Sequence, residues 1–93
     1  MTNVYFIKKG EEVKIGRSAD VSRRLEELQV SNSELLEVLY VIENVDESFE
    51  QHVQSVCQLF HIRGEWFYIG AINHLLKHPY YAEAMKSYSR SNS

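Results

Sequence analysis

Several absences narrow the field before any motif is considered. The chain has a single cysteine, Cys57, so no internal disulfide is possible, and this usage fits a reducing, cytoplasmic (intracellular) compartment. No apolar run approaches the ~18 residues needed to span a bilayer. Met1-Thr2-Asn3-Val4-Tyr5 lacks the basic start and apolar core of a signal peptide, so no membrane partner is expected. His61, His74 and His78 show no metal-ligand pattern with Cys57, which leaves out a four-ligand zinc site. No linker, repeat or low-complexity stretch is long enough to divide the chain. The expected organisation is one domain over residues 1–88, with a serine-rich flexible tail at 89–93.

What is present is an ordinary globular composition, 44% apolar and 25% charged over 93 residues. The net charge of −3 does not advertise nucleic-acid binding, but its distribution is uneven. Residues 1–25 carry six bases (Lys8, Lys9, Lys14, Arg17, Arg23, Arg24) against three acids, a net +3. Residues 26–50 carry eight acids and no base, and residues 51–93 return to +2. Phosphate affinity depends on where the bases gather, and a positive surface is expected around Lys14, Arg17 and Arg24. The plain alternative is a mixed solvated surface.

Val4 to Ile7 and Val13 to Gly16 read as two strands of a β-hairpin turning at Gly10-Glu11. Ser18 or Asp20 would cap a helix over roughly 20–29, whose Val21, Leu25 and Leu28 share one face. Leu35 to Ile42 has the length and composition of a buried strand. A second helix starts at Asn44 or Asp46, carries Phe49, Val53, Val56, Cys57 and Phe60 on one face, and is broken by Gly64. Trp66 to Ile69 reads as a short strand, and a last helix runs over 71–87, interrupted at Pro79. The class is α/β, in detail α+β: a three-stranded, mostly antiparallel sheet flanked by helices, in the order ββαβα plus a short strand and a C-terminal helix.

Val4-Tyr5-Phe6 on the first strand, Lys14-Ile15-Gly16 on the second, Arg24-Leu25, Leu28-Gln29, Glu50 on a helix and Gly64-Glu65-Trp66-Phe67 follow one another in consistent order from about residue 3 to 69. Together they resemble the GIY-YIG endonuclease superfamily, and within it the phage-type branch that reads KIG and carries a GEWF signature. That resemblance implies a small GIY-YIG-like domain that hydrolyses phosphodiester bonds in DNA with one divalent ion, Mg2+ or Mn2+. Two positions depart from the pattern. Lys14 replaces the first tyrosine of YIG. The helical histidine of the branch falls at Gln54, and nearby His52 lies about 160° around the helix from it. The literal Tyr68-Ile69-Gly70 is in the wrong place for the motif and reads as strand, core and turn.

The resemblance assigns roles that the residue types suit. Tyr5 would orient or deprotonate the attacking water, with a cation nearby (Lys14, Arg17 or the metal) favouring its phenolate; otherwise it is a strand aromatic. Arg24 would clamp the scissile phosphate through its planar fork; otherwise it pairs on the surface with Glu27 or Asp20. Glu50 is the metal ligand, a single carboxylate being enough for magnesium; otherwise it is solvated like Glu47. Gln54, one turn on, would hydrogen-bond a phosphate or a metal-bound water but cannot shuttle a proton. Glu65 would orient Arg24 or a water, or simply follow the Gly64 turn. Gly16 would permit close approach of a phosphate or a helix, and Lys14 and Arg17 would contact phosphates.

A catalytically weak or inactive nuclease-like module that binds nucleic acid or protein is the alternative, as is an interaction domain docking through Tyr80, Tyr81 and Tyr88. Sequence specificity would come from a protein partner or a homodimer.

Overall fold

The computed structural model describes residues 1–88; the tail expected at 89–93 lies outside the described residues. β1 (Thr2–Lys9) and β2 (Glu12–Ser18) form the hairpin. Gly10 turns it at φ +60°, a conformation that costs a glycine little. α1 (Val21–Val30) is capped by Asp20, whose carboxylate accepts the Arg23 N–H at 3.1 Å. Ser18 instead hydrogen-bonds the Asp20 backbone. There follow β3 (Glu37–Val45), α2 (Phe49–Val56), a single 3-10 turn at Gln58–Phe60, β4 (His61–Arg63), β5 (Trp66–Tyr68), α3 (Gly70–Leu76), α4 (Pro79–Ala84) and β6 (Lys86–Ser87).

The strands make one six-stranded sheet in the order β4-β5-β2-β1-β3-β6, every neighbouring pair antiparallel. It is twice as wide as the three strands expected, because β4 and β6 are too short to show alternation. β4 pairs with β5 around Gly64, at φ +50°, and β6 pairs only with Tyr40 and Val41. α2 starts later than Asn44 or Asp46. Asn44 takes φ +57° within β3, and the Asp46 carbonyl accepts the Phe49 N–H in a turn. α2 also stops at Val56, well short of Gly64. The C-terminal helix is two helices. Pro79, which has no N–H to continue a ladder, opens the second at a first-turn position. Helix ends before Met85, so 85–87 is not helical. Gly70 opens α3 instead of turning, and Tyr68 is an exposed strand end.

Alternation along β1 and β2 divides the core in two. Val4, Phe6, Val13 and Ile15 pack with Val53, Cys57, Phe67, Leu75 and Tyr81 under α2, α3 and α4. Tyr5 and Ile7 pack with Val21, Leu25, Leu36, Val38 and Val41 on the α1 side. Of the three C-terminal tyrosines, Tyr81 is buried in the first core. Tyr88 packs against the second, its hydroxyl 2.8 Å from Ser22 Oγ, which leaves only Tyr80 exposed. Among the described residues no helix is long and apolar enough to cross a membrane.

Candidate active site

β5 pairs with β2 only at Glu12, Val13 and Lys14, while β2 runs on to Ser18. Past Lys14 this side of β2 therefore has no strand neighbour, and groups from elsewhere fill the margin. The Ile15 N–H donates to the Glu65 carbonyl at 2.9 Å. The Ile15 carbonyl accepts from Gln54 Nε2, on α2, at 2.8 Å. Tyr5 stands opposite Gly16 across the hairpin, and its ring lies over that glycine. A Cβ at residue 16 would stand 2.6 Å from Tyr5 Cζ and closer still to the hydroxyl. The Tyr5 phenol thus makes a close approach to Gly16.

Tyr5 and α2 belong to opposite layers of the sheet. At the margin the phenol lies over Gly16, and Glu50, from α2, exerts a charge effect on it. Tyr5 is 1% exposed. Burial pushes its pKa above the ordinary 10, the Arg24 guanidinium directed at the phenol pulls it back, and Glu65 and Glu50 push it up again. The net shift is upward, because burial outweighs Arg24. The cation facing the phenol is Arg24, rather than Lys14 or Arg17. Tyr5, followed by Glu27, in turn raises the pKa of Arg24. The Glu27 pairing expected as the plain alternative is also present, at 3.3 Å.

Glu50 is 9% exposed. Burial raises its carboxyl pKa and the adjacent Glu65 carboxyl raises it further, while Arg17 and Lys14 pull it down. Arg17 Nε stands 3.4 Å from Glu50 and its NH1 3.5 Å from Glu47. Lys14 Nζ stands 3.1 Å from Glu65 and 5.5 Å from the Trp66 ring centre. Gln54 Nε2 also reaches Glu50 Oε2, at 3.3 Å. Its amide nitrogen thereby joins a strand carbonyl and the Glu50 carboxylate. Glu65 likewise bonds Lys14 and faces Glu50; no contact with Arg24 orients that guanidinium. His52 is exposed and stacks on Phe49, 5.7 Å between ring centres.

Tyr5, Lys14, Gly16, Arg17, Arg24, Glu50, Gln54 and Glu65 are thus gathered about one stretch of β2. Two hollows adjoin there, of about 340 Å3 beside Arg24 and Asp20 and about 210 Å3 beside Glu50 and Glu47, with Arg17 lining both. The three bases about which a positive surface is expected are all paired with acids. Lys14, Arg17 and Arg24 meet Glu65, Glu50, Glu47 and Glu27, three cations to four carboxylates. Counting Arg23, which shares Glu27, brings the sum only to zero.

The closeness of Glu50 and Glu65 was not legible from spacing. It depends on the register that sets Trp66 beside Lys14, with Glu65 on the adjoining hairpin turn. Among the described residues no group of three or more His, Cys, Asp or Glu is gathered to hold a metal. The hard oxygen donors on offer are these two carboxyls, a set that suits magnesium better than zinc.

Residues 2–79 match the family model described as the T5orf172 domain. No curated protein and no solved structure matches the chain.

Proposed function

The chain belongs to the T5orf172 domain family, a phage-type, nuclease-like family, and from that premise we propose that it is a DNA endonuclease of the GIY-YIG type dependent on Mg2+ or Mn2+. The observation that carries the proposal is the convergence of Tyr5, Arg24, Glu50 and Glu65, from four elements or turns, at the strandless margin of β2.

Hydrolysis forms a phosphorus–oxygen bond to water and breaks the one to the leaving sugar oxygen. The water must be held in line and lose a proton, and the phosphate must be gripped. The Tyr5 hydroxyl orients the water. Its neutral form predominates in the ligand-free protein; the phenolate that Arg24 favours is the form that takes the water's proton, and the leaving sugar oxygen takes a proton from solvent. Arg24 also forks onto a phosphate oxygen. Leaving Glu27 costs little, since exposed ion pairs are worth about 1 kcal/mol or less. Glu50, steered by Gln54, is the metal ligand, and Glu65 stands close enough to be a second. Lys14 and Arg17 hold these acids together and are released toward phosphate. A bound divalent ion would offset the charge growing on the phosphate and leaving oxygen.

The competing function is a nuclease-like nucleic-acid or protein-binding module without turnover. It is favoured by Gln54, which stands where the branch has a histidine and is tied to Ile15.

Plasmid nicking with magnesium separates the two. The wild type should nick, and Glu50→Gln should lose at least about a hundredfold in rate while keeping its fold and DNA binding. Arg24→Ala should lose both binding and cutting. Wild-type cutting by Glu50→Gln alongside a dead Glu65→Gln would move the metal to Glu65. A wild type that binds DNA but never cuts with any divalent ion would leave the binding module.

A further inference from the structure

A second surface lies at the other end of α1. Leu25 and Leu36, 5% and 4% exposed, form the floor of a groove of about 380 Å3, and Val30 and Leu35, 88% and 82% exposed, form its lips. We propose that this groove docks a basic amphipathic helix of a partner protein.

The groove is built, not frayed. The Gln29 side chain closes the loop after α1 from both ends of its amide. Nε2 donates to the Asn32 and Glu34 carbonyls at 3.3 and 2.9 Å, and Oε1 accepts the Leu36 N–H at 2.9 Å. Asn32 Nδ2 adds a bond to the Leu28 carbonyl at 2.9 Å. The loop is therefore tied to the end of α1 while two aliphatic side chains are held toward water. Apolar area kept exposed on a preorganised surface is a mark of a binding site.

Charge complementarity selects the occupant. Glu26 lines the groove, and Glu34 and Glu37 flank the two leucines. The whole stretch 26–50 holds eight acids and no base. Lys8 stands opposite Glu37 across β1 and β3. An apolar groove with an acidic rim fits a helix with an apolar stripe flanked by Lys or Arg. A second copy of the chain fits poorly, since a two-fold contact here would press two acidic rims together. Residues 89–93, Ser-Arg-Ser-Asn-Ser, bring no apolar side chain to fill it. The groove shares no lining residue with the two hollows of the candidate active site.

The test uses the full chain and a fluorescent 15-residue synthetic helix, leucines on one face and lysines beside them, with a matched peptide carrying glutamates for lysines. The lysine peptide should bind at near-physiological salt, and the glutamate peptide at least about tenfold more weakly. Val30→Ser with Leu35→Ser, both on the surface, should weaken the lysine peptide by about tenfold or more without moving the melting temperature or plasmid nicking. Glu34→Lys should weaken it too. The proposal is overturned if the lysine peptide does not bind, if both peptides bind alike, or if the double serine variant binds as the wild type does. It is also overturned if sedimentation shows a dimer that Leu35→Ser dissociates, because the groove then holds a second copy.

Discussion

A methyl group at residue 16 would compete with the Tyr5 phenol for the same space. Gly16→Ala should therefore destabilise the fold by roughly 1–3 kcal/mol, as overpacking does, and displace the phenol from the margin. Thermal melts and nicking assays check this together. Adding Tyr5→Leu should recover the melting temperature but not the cutting, and a Gly16→Ala protein that melts and cuts as wild type would show that nothing depends on the passage. Glu50 makes the opposite kind of prediction. Its folded pKa is raised above the ordinary 4.5, so folding favours the protonated acid. That stabilisation is fully present below about pH 4.5 and is lost as pH rises through the folded value, leaving a buried charge at neutral pH. Glu50→Gln should then raise the melting temperature at pH 7 while abolishing activity. The gain should shrink toward pH 4. A melting temperature that falls at pH 7 but not at pH 4 would mean the Arg17 pairing outweighs the desolvation.

Elements with a strong period were readable, and those without one were not. The hairpin, α1 and β3 could be placed because apolar positions recur at the strand or helix spacing and Gly10 and Asp20 punctuate them. β4 and β6, of three and two residues, owe their existence to neighbours, β5 and β3, that no local pattern reveals. The same limit applies at the site. Tyr5, Arg24 and Glu50 could be named from motif order, and Gly16 could be marked for a close approach. That the approaching group is Tyr5, that Glu65 faces Glu50, and that Gln54 reaches a strand carbonyl all depend on where β5 ends. Gln54 joins element to site. Gln54→Ala should leave the Ile15 carbonyl unpaired, costing about 1–3 kcal/mol. It should lower kcat more than DNA affinity, since Glu50 would lose its guide. Unchanged turnover would make Gln54 a purely structural tie.

For the molecule as a whole, charge is arranged against unaided DNA binding. Three cations to four carboxylates at the margin leave a phosphate little to gain until an added cation, or the loss of an acid, shifts the sum. Metal-free DNA binding should be weak and should weaken further with salt. Glu50→Gln with Glu65→Gln should tighten it by about tenfold, on the order of two added contacts' worth of charge, and a divalent ion should do the same for the wild type. Fluorescence titration in a chelator checks this, and a double variant that binds no better than wild type would show that the acids do not gate the backbone.

The margin of β2 has one further consequence. A strand that outruns its neighbour normally shows bare N–H and C=O groups, a template on which other chains can add themselves. At Ile15 both groups are taken, the N–H by the Glu65 carbonyl and the carbonyl by Gln54. The side chains and turn that build the candidate site thus also block strand addition at that residue. A Gln54 variant made to probe chemistry would unmask the Ile15 carbonyl as well, so a tendency to aggregate belongs to that position as much as reactivity does.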